Sequence, residues 1–114
     1  YVDLNGLEVI PMNAFYSCSK LAEVKGIENV TEIGDYAFAF CHALENFTLG
    51  KGLKKIGKGA LSNTVYSINY EGTMAEWNAI EKGERWNGYA GGKYHLEKIV
   101  CSDGSVPTPS ITRN

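Results

Sequence analysis

Long apolar runs, an excess of basic residues and metal-ligand clusters are all missing from this sequence of 114 residues. No stretch approaches the roughly 18 consecutive apolar residues expected of a transmembrane helix. The 11 Lys and Arg residues are outnumbered by 13 Asp and Glu, which gives a net charge of −2. The composition therefore predicts no membrane span and no nucleic-acid partner, while 44% hydrophobic residues are enough for a buried core.

Residues for catalysis or metal binding are also scarce, since the whole chain contains three Cys and two His. None of the cysteines belongs to a C-x-x-C pair, the spacing typical of zinc sites. His95 and Cys101 share a face of the strand expected around them, but they lie about 20 Å apart at the usual strand rise. That distance is too long for a nucleophile and its base. We therefore expect no enzymatic activity, no cofactor and no metal.

What the chain does contain is a repeat with a period of 23 residues. The dipeptide Ala14-Phe15 returns as Ala37-Phe38 and again as Ala60-Leu61. A second column is formed by Ile10, Ile33 and Ile56. A fixed period of this length is typical of a solenoid, in which each repeat buries its apolar residues by stacking on its neighbours.

Within each repeat the apolar residues follow one another in steps of three, as from Cys18 to Ile33. Neither an α-helix nor a long strand has this spacing, so we expect coils that each carry one short parallel strand. The expected strands are Val24-Lys25-Gly26, Phe47-Thr48-Leu49 and Ile68-Asn69-Tyr70. Because Cys18 and Cys41 occupy one repeat position, we expect two buried, reduced thiols stacked one coil apart, and Cys101 is expected to be buried as well.

The strings IPMNAFYSCSKLAEV and VTEIGDYAFAFCHALENFTL resemble the BspA-like leucine-rich repeat, whose pattern is I-G-x-x-A-F-x-x-C-x-x-L-x-x-V/I. The match covers about residues 7–70, and the stretch that follows resembles the segment that often closes such arrays. Gly26 departs from the pattern, which usually has an aliphatic residue at that position. The resemblance implies a secreted or surface-anchored protein, mostly of bacteria, that serves adhesion and protein interaction. It carries no catalytic residues with it.

The expected fold is α+β, a leucine-rich-repeat solenoid closed by a helix and a strand. Leucine-rich coils should span residues 1–70, the capping segment 71–104, and a linker or frayed tail 105–114. In the cap, Thr73 and Glu76 predict a capping box for a helix from Met74 to Lys82 that Gly83 ends. A strand is expected from residue 94 to 101.

The N-terminus begins in the middle of a repeat, because Tyr1 aligns with Val24. We therefore expect the chain to be the C-terminal part of a longer array, without its own signal or anchor segments. Leu4, Leu7 and Val9 should then lack an upstream neighbour, and this open end should favour self-association.

Two functions from different classes remain. The first is an extracellular or cell-surface module that binds protein or glycan partners, and the second is a structural spacer or capping unit. For the first, the candidate surface is the outward strand face, which comprises Glu23, Lys25, Asn46, Thr48, Ser67 and Asn69. Trp77 and Trp86 are expected to pack as the structural cap. The alternative for these two residues is a sugar-stacking platform that they would form with Tyr89 and Tyr94.

Overall fold

A computed structural model describes residues 2–44, 46–62, 67–87 and 98–106 of the chain. These residues contain short strands, a 3₁₀ helix at Ile27–Asn29 and an α-helix, α1, at Met74–Ala79. The strands are β1 (Val2–Asp3), β2 (Val9–Ile10), β3 (Val24–Lys25), β4 (Glu32–Ile33), β5 (Asn46–Leu49), β6 (Lys55–Ile56), β7 (Ser67–Tyr70), β8 (Glu81–Lys82), β9 (Lys98–Cys101) and β10 (Gly104–Val106).

One four-stranded parallel sheet follows the isoleucine column, in the order β2-β4-β6-β8. Ile10 pairs with Ile33 and Ile33 with Ile56, so the register reproduces the 23-residue period. All three isoleucines are fully buried. We number the repeats by these strands, so that β2 belongs to repeat 1 and β8 to repeat 4.

The expected strands form the other ladders. β1 pairs with β3 in parallel, and a four-stranded sheet has the order β10-β9-β7-β5. Its β5, β7 and β9 are parallel, while β10 runs antiparallel to β9. The strand predictions are thus confirmed, except that Gly26 lies outside β3. Gly26 has a φ of 86° and precedes the 3₁₀ helix, a conformation that the usual aliphatic residue would adopt only with strain.

Turn segments join successive repeats through alternate backbone amides. The N–H groups of Asn13, Phe15 and Ser17 donate to the carbonyls of Asp35, Ala37 and Ala39. One repeat later, the amides of Tyr36, Phe38 and Phe40 donate to the carbonyls of Lys58, Ala60 and Ser62. The Ala-Phe columns therefore meet in the core, where Ala37, Phe38 and Ala60 are fully buried.

Glycine allows the repeats to approach closely beside the isoleucine column. The amides of Gly34, Gly57 and Gly83 each donate to the isoleucine carbonyl of the preceding repeat, at 2.8 Å. A Cβ atom on Gly34 would lie 2.6 Å from the Ile10 carbonyl oxygen. Any larger residue at this position would push two repeats apart.

Helix α1 begins as predicted but ends earlier. The capping box between Thr73 and Glu76 is present. The prediction that the helix continues to Lys82 and stops at Gly83 is wrong, because Ile80 is already extended, with a ψ of 132°. Glu81 and Lys82 form β8 instead, since pairing with β6 satisfies their backbone groups.

The two ends of the described chain differ from expectation in detail. Leu4 was expected to be exposed and is only 8% exposed, because it packs beside Gly26 and joins the core cluster. Leu7 and Val9 are exposed as expected, at 43% and 48%. At the other end, β10 includes Ser105, so the expected boundary at 105 falls inside a strand. Residues 94–97 of the expected last strand and residues 107–114 of the expected tail lie outside the described residues.

Candidate functional site

The expected interaction surface lies on the outward side of the short strands. Thr48 and Asn69 are exposed neighbours in the register of β5 and β7, and their sequence neighbours Phe47, Leu49, Ile68 and Tyr70 are buried. Ser67 is half-buried and pairs with Asn46, whose side chain lies outside the described residues. The structure therefore brings the β5 and β7 residues together as a small polar patch.

Glu23 and Lys25, the other two residues of the expected surface, are also exposed. Lys25 belongs to β3 and pairs with Asp3 of β1 rather than with the β5–β7 patch. The expected surface is thus divided between two ladders. Alternation of inward and outward side chains along a strand accounts for the exposure of Lys25, Thr48 and Asn69.

Trp77 and Trp86 form an aromatic cluster with Tyr70. The rings of Tyr70 and Trp77 lie 5.4 Å apart, and those of Trp77 and Trp86 lie 5.7 Å apart, both edge to face. Trp77 is 2% exposed and Trp86 is 6% exposed. A sugar platform needs an open ring face, so this alternative is wrong for both tryptophans. Tyr89 and Tyr94 lie outside the described residues.

Lys82 supports this cluster and was missed in the sequence. Its Nζ atom donates to the carbonyls of Trp77 and Ile80, at 2.8 and 3.1 Å, and lies 4.9 Å from the Trp77 ring centroid. Both carbonyls lie at the C-terminal end of α1, where helix carbonyls lack their usual partners, and that of Trp77 also accepts from the Ile80 amide. Burial lowers the pKa of Lys82. Lys82 pairs with Ile56 in the isoleucine column, but 26 residues separate the two, so a fixed period of 23 does not find it.

The three cysteines are free thiols. Cys41 is buried as predicted, and its Sγ donates to the Phe15 carbonyl at 3.0 Å. The prediction for Cys18 is wrong, because this side chain is only half-buried. It belongs to repeat 1, where Leu7, Val9, Met12 and Tyr16 are also exposed. Cys101 is buried as expected.

Burial keeps two of these thiols protonated. It raises the pKa of Cys41 to about 11 and also raises the pKa of Cys101, next to Asp103. A nucleophilic cysteine needs the opposite shift, since the thiolate is the reactive form. The burial and raised pKa values of Cys41 and Cys101 therefore favour a role in core packing over a role as nucleophiles.

Within the described part of the chain, no three His, Cys, Asp or Glu residues are grouped closely enough to hold a metal ion. Among the same residues, no helix has the length and apolar character needed to cross a bilayer.

Parallel strands repeated at a 23-residue offset, with few helices, are compatible with a leucine-rich-repeat fold. Comparison with protein families identifies the type of repeat. The family described as "BspA type Leucine rich repeat region (6 copies)" matches residues 3–80. This match spans more than half of the chain, which therefore belongs to the BspA-type leucine-rich-repeat family. No curated protein and no solved structure matches the chain.

Proposed function

We propose that this chain is a non-enzymatic interaction module of a secreted or cell-surface protein, and that it binds protein or glycan partners. Membership of the BspA-type repeat family is the observation that carries the proposal. Repeats of this kind expose an extended surface on which partners bind. The exposed pair Thr48 and Asn69, with Ser67 beside them, supplies polar groups on such a surface.

With this function we propose an architecture in which leucine-rich coils over residues 1–70 form a solenoid, residues 71–104 close it, and a linker or tail follows β10, which ends at Val106. Two observations support the closing segment. The buried rings of Trp77 and Trp86 lie against Tyr70 of β7, and β9 continues the ladder of β5 and β7. In this arrangement the two tryptophans act as the structural cap.

A purely structural spacer is the second candidate. It is favoured by the absence of aromatic or Arg anchors from the six residues of the expected strand-face surface. Interfaces with strong affinity usually depend on such anchors. A spacer would also explain why the largest described rings of the closing segment are buried.

Binding assays on the whole chain distinguish the two candidates. The immobilised protein is tested against a glycan array and against purified extracellular-matrix proteins. We expect at least one ligand to bind saturably. Its binding should be lost when Thr48 and Asn69 are replaced by Lys, or when the other exposed patch to which it binds is altered. A matched control replaces the exposed Asn78 of α1 with Ala. Failure to bind any member of either panel would favour the spacer.

A further inference from the structure

Left-handed backbone positions recur at one place in every repeat. Asn13, Tyr36, Gly59 and Arg85 hold equivalent positions in repeats 1 to 4, and all have φ between 56° and 62°. The amides around them donate to the next repeat in the same way, as from Tyr36 to Lys58 and from Gly59 to Glu84. A second such position is held by Ser17 in repeat 1 and Phe40 in repeat 2, with φ of 59° and 62°.

Repeat 2 has a bulky aromatic residue at both positions. Repeat 1 has Asn13 and Ser17 there, and Gly59 and Arg85 hold the first position in repeats 3 and 4. Asn and Gly tolerate a left-handed backbone. Tyr36 and Phe40 have bulky side chains for which this conformation is strained. Core packing does not explain the choice, because both side chains are only partly buried. Strained residues of this kind concentrate at ligand-binding places.

The two aromatic side chains form walls of one small cavity. It has a volume of about 180 Å³ and is lined by Tyr36, Phe40, Lys58, Gly59, Ser62 and Arg85. Gly59 leaves room for the Tyr36 ring, since a Cβ atom there would lie 2.5 Å from the ring edge. Phe40 is held between Tyr16 and His42 by edge-to-face contacts at 5.7 and 6.3 Å.

Two cations line this cavity, Lys58 and Arg85. Among the described residues, its lining includes no carboxylate. The nearby Asp35 carboxylate accepts a hydrogen bond from the Lys58 backbone amide at 2.8 Å and lines a different hollow, beside Ile10. A second, more open hollow of about 710 Å³ is lined by Asn13, Tyr16 and Tyr36. Tyr36 therefore lies between two adjoining concave spaces.

These features favour a small anionic ring over an extended peptide. The amides of Tyr36, Phe38 and Phe40 already bond to repeat 3, and the carbonyls of Asp35, Ala37 and Ala39 to repeat 1. The walls thus leave no strand edge on which a peptide could add backbone hydrogen bonds. A cavity with aromatic walls and a few polar groups instead suits one compact ligand group.

We propose that the cavity between Tyr36 and Phe40 binds an acidic glycan, an inference that rests on the proposed interaction function. One sugar ring packs against the aromatic walls, and its carboxylate pairs with Lys58 and Arg85. The adjoining hollow beside Tyr16 receives the next sugar of the chain. This proposal gives the module a ligand class and a binding surface away from the outward faces of its strands.

Isothermal titration of the whole chain tests the ligand class. The probes are 3′-sialyllactose, a hyaluronan hexasaccharide, neutral lactose and a glutamate-rich peptide. We expect saturable binding of at least one acidic glycan, weakened by added salt because ionic contacts are screened, and none of lactose. Binding of the acidic peptide alone, or of lactose as tightly as of the acidic glycans, would overturn the proposal.

Four variants test whether the glycan binds in this cavity. We expect Tyr36→Asn, Phe40→Ser and Lys58→Gln each to weaken glycan binding by about tenfold or more, the scale of one lost charged or packing contact. Asn78→Ala, at an exposed position of α1, should leave the affinity unchanged. Tyr36→Asn carries the residue that repeat 1 has at this position, so its melting temperature should equal or exceed that of the parent. Unchanged affinity in all three cavity variants would refute the site.

The outcomes also separate this inference from the proposed function. A chain that binds a matrix protein but no acidic glycan retains the interaction function and loses this site. A chain that binds neither loses both. If Tyr36→Asn loses binding and also melts well below the parent, then Tyr36 is a packing residue, and intact binding by Lys58→Gln would complete the refutation.

Discussion

At the scale of single residues, close packing in the described part of this protein depends on glycine at some positions and on tryptophan at others. Glycine at positions 34, 57 and 83 lets the backbones of successive repeats meet. Trp77 instead fills the space between Tyr70 and Trp86. Both kinds of contact leave little room for substitution, because protein interiors are packed without spare volume.

Trp77→Ala should reduce the free energy of unfolding by about 3–5 kcal/mol, the usual cost of removing a packed Trp. Domains of this size have total stabilities on the order of 5–15 kcal/mol, so the variant should melt far below the parent. Trp86→Ala should be destabilising as well. Thermal melting is the measurement, with Tyr16→Ala at an exposed ring as the control. A Trp77→Ala protein that melts like the parent would rule out the capping role.

Gly34→Ala should cost about 1–3 kcal/mol, the usual penalty of overpacking. The added methyl group would lie 2.6 Å from the Ile10 carbonyl oxygen and from the Met12 amide nitrogen. Gly52→Ala is the matched control, because nothing lies within 4 Å of its added methyl group. Urea unfolding of both variants gives the comparison. Equal stabilities would contradict the close approach of repeats 1 and 2.

Cys41 should react with iodoacetamide much more slowly than Cys18 at about pH 8, because only the thiolate is nucleophilic. The pKa of Cys41 is raised to about 11, and its side chain is buried, whereas Cys18 is half-buried. Mass spectrometry after timed labelling reads out each site. Labelling of Cys41 as fast as Cys18 in the native protein would show that the thiol is accessible.

The raised pKa of Cys41 also affects the stability of the folded protein at high pH. A folded-state pKa raised above the ordinary value of 9.0 means that the unfolded chain loses this proton first. The contribution of Cys41 is therefore complete below pH 9.0 and is lost as the pH rises through about 11. Urea unfolding across this window should show a smaller loss of stability for Cys41→Ala than for the parent.

At the scale of elements, α1 shows how a short helix is held by side chains at both ends. Thr73 accepts from the Glu76 amide, and Glu76 accepts from the Thr73 amide. Asp103, from the turn between β9 and β10, accepts from the Met74 amide at 2.8 Å. Lys82 donates to carbonyls at the other end. A six-residue helix has little stability of its own, so these contacts and the burial of Trp77 fix it.

Thr73→Ala should therefore cost about 1 kcal/mol, the typical loss for an N-cap residue. Asn78→Ala is the control on the same helix, since Asn78 is exposed and Ala is the better helix former. Urea unfolding should show a lower midpoint for the first variant and an equal or higher midpoint for the second. Equal midpoints for Thr73→Ala and the parent would contradict the role of the capping box.

The sequence allowed some of these elements to be predicted and concealed others. β5 and β7 are predictable because Phe47-Thr48-Leu49 and Ile68-Asn69-Tyr70 hold equivalent places in the repeat. β2, β4 and β6 have only two residues each, and each contributes one buried isoleucine, so their period predicts a buried column but no strand. β8 is not predictable from the period, because Lys82 is charged and because α1 lengthens the distance from Ile56 to 26 residues. The position of Gly83 suggests a helix stop, whereas in the structure glycine is needed there because repeat 3 lies so close to it.

The candidate cavity could not be predicted for a related reason. Asn13 and Gly59 are residue types that suggest a left-handed turn, whereas Tyr36 and Phe40 suggest buried or strand positions. Only the backbone angles show that all these residues share one conformation. The outward strand residues were predictable because side chains on a strand alternate between faces.

At the scale of the whole molecule, the fold repeats one contact pattern with small changes. The same amide-to-carbonyl bonds join repeat 1 to repeat 2, repeat 2 to repeat 3, and repeat 3 to repeat 4. These shared backbone bonds hold the stack, whereas the side chains at equivalent positions, such as Tyr36 and Arg85, differ between repeats. Exposed apolar side chains in repeat 1, from Leu7 to Tyr16, make this end a candidate for self-association.

Self-association should therefore depend on concentration and on repeat 1. We expect sedimentation velocity to show dimers or larger species at high protein concentration, because exposed apolar patches favour association. Replacing Met12 and Tyr16 by Ser should shift the protein toward monomer. A control pair, Thr48→Ser and Asn69→Ser, should have no effect. A strict monomer at every concentration would contradict this prediction.

The central claim is that 23-residue repeats stack in parallel and in register. Nuclear Overhauser contacts between side chains in isotopically labelled protein test it most directly. The account predicts contacts from Ile10 to Ile33 and from Ile33 to Ile56, together with contacts from Phe47 to Ile68 and from Ile68 to Ile99. Contacts that pair these residues in a different register, or none between these columns, would contradict it.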